Sequence, residues 1–346
     1  MDAVTPSPLG VTMDDVATRA GVSRATVSRV LGGRVQVSAR AREQVLRAIN
    51  ELGYVPNLAA SQLASGASSV VGLLLRDPRN PTYGLLHSRL QQETTDAELQ
   101  LVTVVPSVAQ RAEFEASSLQ RLLGLRVGGL FVATGVLQSD LLTPFLSAVP
   151  VVSVGRVELD PRIHAVSYDE DAHGALLADR VVAHGHRRVA VLVTGPEVST
   201  AENRRSLAIV TRLQERGAEV LEFEAHQFGV SGERDDEIIR VAREGGVTAA
   251  MFPSDWRAIH FLEIAVKAGV RVPDDLSVTG CDGIAPGLPL LGLATIRVPV
   301  ETVARRGVEV MRQLMDAPEP VRARHELHRG YLIDGTTLSV PPLAGA

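Results

Sequence analysis

Arg24, Ala25, Ser28 and Arg29 have the residue types and the spacing to read nucleobases. A helix beginning near Arg24 puts Val27, Val30 and Leu31 on its inner side, which leaves those four residues together on the outer side. An arginine fork can donate to both acceptors that guanine shows in the major groove, and an alanine methyl can meet a thymine methyl or permit close approach. Arg24, at the start of the helix, is the expected base reader. The hydroxyls of Thr12, Ser23, Thr26 and Ser28 lie near helix starts, where hydroxyls and free amides grip phosphate oxygens without carrying sequence information.

Positioning that face requires two short helices and a tight turn. Thr12 stands three residues before Asp15, so it can cap a first helix whose Asp14 and Asp15 suit the positive end of the helix dipole. Gly21 permits a left-handed turn residue, Val22 fills the corner and Ser23 can cap the second helix. Gly32 and Gly33 are expected to end that helix. Ser38 then caps a third helix running toward Leu52, with Val45, Leu46, Ile49 and Leu52 expected on its core face and Gly53 as its stop. The following Tyr54 to Ser65 holds a proline, an Asn57 cap and an alanine-rich turn too short to be a stable helix alone, which reads as a hinge that orders on contact.

The run from Val11 through Leu63, with VSRATVSRVL and GYVPNLAASQLA, resembles the DNA-binding headpiece and hinge of the LacI/GalR family of bacterial transcription regulators. The resemblance implies that Arg24 and Ala25 read bases, that Arg29 is a further groove contact and that Asn57 opens a hinge helix. Ala60 and Leu63 complete the implied DNA contacts. Leu63 stands where the family wedges a leucine into the minor groove from two subunits together, bending the duplex at a cost of roughly a few kcal/mol that extra contacts offset.

Composition fits a two-part molecule. The 346 residues, 45% of them apolar, exceed one ordinary core. The formal charge of −5 divides unevenly: residues 1–65 hold seven arginines against five acids, or +2, and the remainder carries −7. Positive charge is therefore local and modest, so dimerisation is expected for tight binding to double-stranded DNA. One cysteine, Cys281, excludes an internal disulfide framework and a zinc-binding set. No signal peptide and no apolar run near ~20 residues is present, so a cytoplasmic location without membrane contact is expected. No phosphate loop, nucleophile elbow or cysteine–base pair points to an enzyme, and neither a cofactor nor a metal is expected.

From Ser69 the pattern becomes alternating strand and helix. Strands are expected at Val70–Leu75, Leu99–Val105, Gly128–Ala133, Pro150–Gly155 and Ala165–Asp169. A second series follows at Arg188–Val193, Ala218–Phe223, Thr248–Pro253 and Leu276–Asp282. Two parallel-sheet lobes result, with ligand at the carboxyl ends of the strands. Polar residues just after strands become the expected effector contacts: Asp77, Asn80, Asp169 at the lobe crossover, Arg204, Asp255 and Asp282. Tyr83 and Trp256 can supply flat apolar faces. Acids and an arginine around a cleft suit a polyhydroxylated ligand. The basic run His184, His186, Arg187 and Arg188 is expected to be a solvated loop.

The LacI/GalR resemblance continues through DPRNPTYG, YDEDAHGALLADRVVAHGHRRVAVL, STAENR, VRVPDDLSVTGCDGIA and LATIRVPVETVARRG. It implies an all-α helix-turn-helix headpiece plus an α/β two-lobed periplasmic-binding-protein-like effector domain, with effector contacts at Asp169, Arg204 and Asp282. The expected divisions are 1–56 headpiece, 57–68 hinge and 69–346 effector-binding and dimerisation domain. Gly283, Ser254 and Val298 depart from family residues that are commonly polar, which predicts a less polar pocket. A carbohydrate is the expected effector, and a nucleoside or purine-like ring the alternative. The C-terminal residues, ending in PPLAGA, carry no heptad tail, so a homodimer on a palindromic operator is expected rather than a tetramer. A two-lobed solute-binding protein without DNA function is the competing class, and the headpiece argues against it.

Overall fold

A computed structural model of the chain describes residues 10–31, 37–54, 68–106, 112–137, 139–226, 234–319 and 321–342. Gly32, Gly33 and the hinge residues Asn57, Ala60 and Leu63 lie outside this set. The chain separates into two compact units, Met1–Ala67 and Ser68–Ala346.

The first unit holds α1 (Met13–Ala20), α2 (Arg24–Leu31) and α3 (Ala39–Leu52). Thr12 makes a full capping box with Asp15, and Gly21 ends α1 in the left-handed region at φ 66° with its amide returned to Ala17 and Thr18. Ser38 caps α3 and Gly53 stops it. Val16, Ala17, Ala20, Val27, Val30, Val45, Ala48 and Tyr54 form the core. Leu46, expected inside, is 47% exposed. Ala48 takes the inner position, because the stripe set by Val45, Ala48, Ile49 and Leu52 turns Leu46 outward.

The second unit begins with β1 (Val70–Leu75), α4 (Pro81–Asp96), β2 (Gln100–Val104), α5 (Ala112–Gly124), β3 (Gly129–Ala133), β4 (Val151–Val154) and β5 (His164–Tyr168). It continues with α6 (Glu170–Ala183), β6 (Arg188–Thr194), α7 (Thr200–Glu215), β7 (Glu219–Ala225), α8 (Asp235–Arg243), β8 (Ala249–Met251), α9 (Asp255–Lys267) and β9 (Ser277–Thr279). The last elements are α10 (Leu288–Leu291), β10 (Thr295–Arg297), α11 (Val300–Asp316), β11 (His325–His328) and β12 (Tyr331–Ile333).

These make two lobes. Lobe 1 is a six-stranded sheet, β11-β5-β4-β3-β1-β2, parallel throughout. Its apolar strands are covered on one face by α4 and α11 and on the other by α5 and the segment after β3, which is why VVGLLL is buried at all six positions. Lobe 2 is the parallel sheet β7-β6-β8-β9 with α6 to α9 packed around it, joined by the antiparallel pair β10-β12. Among the described residues the chain crosses between lobes three times: at Asp169, at Val298–Pro299 and at Arg329–Gly330. The final crossings arise because α11 and β11 return to lobe 1 and β12 goes back to lobe 2.

His186, expected in a solvated loop, is buried: Nδ1 meets Thr248 Oγ1 at 2.8 Å and Nε2 meets the Ser339 carbonyl at 2.8 Å. The ring ties the start of β6 to the chain's last described turn.

Candidate functional site

Two surfaces carry chemistry, one in each unit. On the first, Arg24, Ala25, Ser28 and Arg29 are all exposed on α2, while Val27 and Val30 on its other side are buried. Arg24 Nη1 rests 3.3 Å from Asp14 Oδ2, and with both side chains about two-thirds exposed at 67% and 65% the pair is weak enough to exchange for a nucleic-acid acceptor. Thr12 and Ser23 serve the helices themselves. The Thr12 hydroxyl lies 2.6 Å from Asp15 Oδ2 and accepts from the Asp15 amide, and Ser23 Oγ accepts from the Thr26 amide at 3.2 Å. These caps aim the start of α2 and leave its first amides at the surface.

In the second unit the carboxyl ends of both sheets converge on a small cavity. Lobe 1 contributes Asn80, Thr82 and Tyr83 after β1, Gly155 after β4 and Tyr168 at the end of β5. Lobe 2 contributes Glu170, Ser199, Glu202, Arg205, Ser254 and Asp282. The lobes stand so close that the cavity amounts to ≈ 40 Å³. Ligand pockets run to roughly 300–1,000 Å³, so a ligand of any size requires lobe separation.

Arg205 is the centre of this wall. Its Nε lies 2.7 Å from Glu170 Oε2, its Nη1 lies 3.2 Å from Asp282 Oδ1, and Nη1 also donates to the Pro253 carbonyl. Burial works against ionisation of Glu170, yet the Arg205 guanidinium and His173 hold its carboxyl down at about 2. His173 accepts at Nε2 from the Gly330 amide at 2.7 Å, so its Nδ1 carries the hydrogen that faces Glu170. Asp282 goes the other way: burial, with Asp255, Glu202 and Glu170 nearby, pushes its carboxyl well above the ordinary range despite Arg205. It is also held at φ 138°, pinned by backbone bonds to Ile296 and Val298, a strained placement typical of functional positions. A second buried pair, Arg257 Nε to Glu202 Oε2 at 2.8 Å, stands on the same lobe.

Of the effector residues expected from sequence, the structure gathers Asn80, Tyr83 and Asp282 at this cavity and places the others elsewhere. Asp77 binds Arg79 through both its amide and its guanidinium. Asp169 caps α6 through the Ala172 amide at 3.1 Å and grips Arg329 Nε at 2.9 Å, so it staples two lobe crossings together. Burial disfavours its charge, but Arg329 and the Ala172 amide hold the carboxyl below its usual value. Arg204 is bound by both nitrogens to Asp171, on the outer side of α7. Asp255 is buried on Thr295 Oγ1 and the Gly283 amide, each at 2.6 Å, and supports the site from behind. Trp256 is 43% exposed and does not line the cavity.

Sequence reasoning missed Glu170, Glu202 and Arg205, and a signal for them exists. The buried stripe of α7, read back from Leu213 through Ile209, arrives at Arg205 and Glu202; that of α6, read back through Leu177 and His173, arrives at Glu170. The departures at Gly283 and Val298 leave those two positions without a polar side chain. Gly283 lies at φ 68° with its missing Cβ only 2.6 Å from Arg297 Cα, so no acid fits there, and Val298 is fully buried. The polar groups come instead from Glu170, Glu202, Arg205 and Asp282.

Residues 12–57 match the family of bacterial regulatory proteins, lacI family, and residues 178–338 match the periplasmic binding protein-like domain. Together these define a DNA-binding transcription regulator with a helix-turn-helix domain and a two-lobed α/β receptor domain. Both matched domains are those of the LacI/GalR-type regulators, which the chain resembles along most of its length. It is similar to the ribose operon repressor of Lactococcus lactis subsp. lactis (strain IL1403), 28% identical over 79% of this chain and 81% of that one. It is also similar to the HTH-type transcriptional regulator GalS of Salmonella typhimurium, 28% identical over 91% and 93% of the two chains. Its fold is that of the lac repressor dimer crystallised with operator and the anti-inducer ONPF, with a TM-score of 0.80, 24% identity and coverage of 95% and 99%.

Proposed function

We propose that this regulator docks α2 in the major groove of a palindromic operator as a homodimer, with Arg24, Ala25 and Arg29 toward base edges and residues 57–68 as the connecting hinge. Its affinity is set by a polyhydroxylated small molecule, a carbohydrate, bound between the lobes, and the protein works in the cytoplasm. Among the described residues no helix is long and apolar enough to cross a membrane.

One observation carries the effector reading. Thr82, Tyr168 and Ser254 line the cavity, and each has a buried side-chain oxygen without a hydrogen-bond partner among the described residues. Buried polar groups are rarely left so, and three of them beside Glu170, Glu202, Arg205 and Asp282 offer the mix of donors and acceptors that several hydroxyls require. A ligand held by groups of both lobes favours one angle between them, and that angle sets whether two hinges can engage the duplex.

The test has two arms. Purified protein is titrated against a library of labelled palindromes, where a preferred sequence at least a thousandfold above bulk DNA is expected, and uniform weak binding overturns the DNA reading. A thermal-shift screen of neutral sugars, sugar phosphates and nucleosides is then expected to raise the melting temperature with sugars. A response confined to nucleosides overturns the carbohydrate assignment.

A further inference from the structure

We propose that Arg76 is an interlobe latch that governs access to the cavity. Arg76 follows β1 in lobe 1 and is only 3% exposed. Its backbone amide is fixed on the Ala133 carbonyl at 3.1 Å, and its Nη2 reaches across to lobe 2 and donates to the Val198 carbonyl at 2.7 Å. A second bond crosses in the opposite direction: the Thr200 amide donates to the Gly135 carbonyl at 3.0 Å. Both bonds end on the turn that opens α7, the helix that carries Glu202 and Arg205.

The local sequence makes room for this. A Cβ at Gly135 would stand 3.2 Å from Arg76 Nη1 and 3.6 Å from Ser199 Oγ, so a glycine here leaves the space through which the guanidinium passes. The same guanidinium acts on the half-buried Tyr83 phenol of the cavity wall. A charged donor on a buried carbonyl is stronger than a neutral hydrogen bond, and it is lost in full when the lobes part. Opening of about one cavity width therefore breaks Arg76 from Val198 and Thr200 from Gly135 together. Arg76 is a positioning residue: it acts on the effector site through α7 and Tyr83.

Thr200 supplies a readout that needs no ligand. It is the first residue of α7, and a first-turn amide has no acceptor within its own helix, so its partner is the Gly135 carbonyl of the other lobe. Amide hydrogen exchange at Thr200 thus reports lobe separation, whereas exchange at Val189–Val193 in β6 reports unfolding of lobe 2. In the full-length Arg76→Met variant, Thr200 is expected to exchange on the order of tenfold to a hundredfold faster than in the parent, with β6 unchanged and Arg76→Lys intermediate. Gly135→Ala, which crowds the latch and leaves the buried charge in place, is expected to give the same local pattern. Unchanged exchange at Thr200 in both Arg76→Met and Gly135→Ala overturns the latch, as does an equal acceleration in β6. The inference rests on the two-lobed receptor reading but not on the ligand's identity, so its failure leaves the sugar screen intact and the screen's failure leaves it standing.

Discussion

Replacing Arg205 with methionine keeps the length and the apolar stem of the side chain and removes a cation that serves three acceptors. Glu170 at 2.7 Å loses its main partner, Asp282 loses a contact at 3.2 Å and the Pro253 carbonyl loses its donor. Arg205 and Glu170 are almost wholly buried, so water does not compensate. Breaking a buried pair by removing one member costs roughly 3–5 kcal/mol, because the remaining charge stays desolvated. For a unit of this size that is a fall in melting temperature of roughly 10 °C. The pH dependence identifies the cause. In the parent, the Glu170 carboxyl held at about 2 contributes stability above its unfolded value of 4.5, and this is lost as pH falls from there toward 2. In the variant Glu170 takes up a proton far more readily. The deficit should therefore be greatest near neutrality and shrink by more than half near pH 4.5, and Glu170→Gln on the variant background should recover part of it at pH 7. Differential scanning calorimetry at both pH values measures this. A loss under 1 kcal/mol, or one equal at pH 7 and pH 4.5, would refute the view that an unpaired buried carboxylate is responsible.

Other consequences can be checked independently. Arg24→Ala should weaken operator binding by roughly 1–3 kcal/mol and relax preference at one base position in each half-site; an unchanged specificity profile removes Arg24 from readout. Burial, reinforced by Asp236 and opposed by His260, raises the Asp235 carboxyl to about 6. An acid raised in the folded state makes folding less favourable as pH climbs from about 4 through 6, so Asp235→Asn should stabilise the protein at pH 8 and leave it unchanged at pH 4; equal denaturation midpoints for parent and variant at pH 8 would count against this. Gly283→Ala combines a left-handed backbone with a Cβ 2.6 Å from Arg297 Cα, so it should cost roughly 2–4 kcal/mol in a urea titration. A cost below 1 kcal/mol would show that the Asp282 turn yields easily.

Much of the fold is legible in the residues because the signals are local. The capping box of Thr12 and Asp15, the left-handed Gly21 and the Ser23 cap are each decided within four positions, and the nine strands of the two series are apolar runs long enough to stand out. The strands β10 to β12 are not legible: each is three or four residues long, and β11, reading HELH, alternates exposed and half-buried positions with no apolar pattern. At the site the difficulty is one of facing. Asp169 and Glu170 are neighbours, as are Arg204 and Arg205, and in each pair the first residue serves a surface or crossing contact while the second turns inward. Successive helix residues point about 100° apart, so the choice depends on how α6 and α7 pack. That packing is set by Gly174, whose absent Cβ would lie 2.6 Å from the Arg205 carbonyl. The dominance of Glu170, Glu202 and Arg205 in the cavity follows from that approach of two helices, which no single segment displays.

The return of β11 to the edge of the first sheet bears on how the chain is made. Lobe 1 holds residues from Val70 onward, yet β5 pairs on one side only with His325–His328, and α11 covers one face of the same sheet. During synthesis from the amino terminus, the polypeptide must emerge through His328 before that sheet can close, leaving an apolar strand edge uncovered meanwhile. Truncation upstream of Val300 should thus yield insoluble material instead of a shortened, working receptor, and the nascent protein should be a client for chaperones that shield open strand edges.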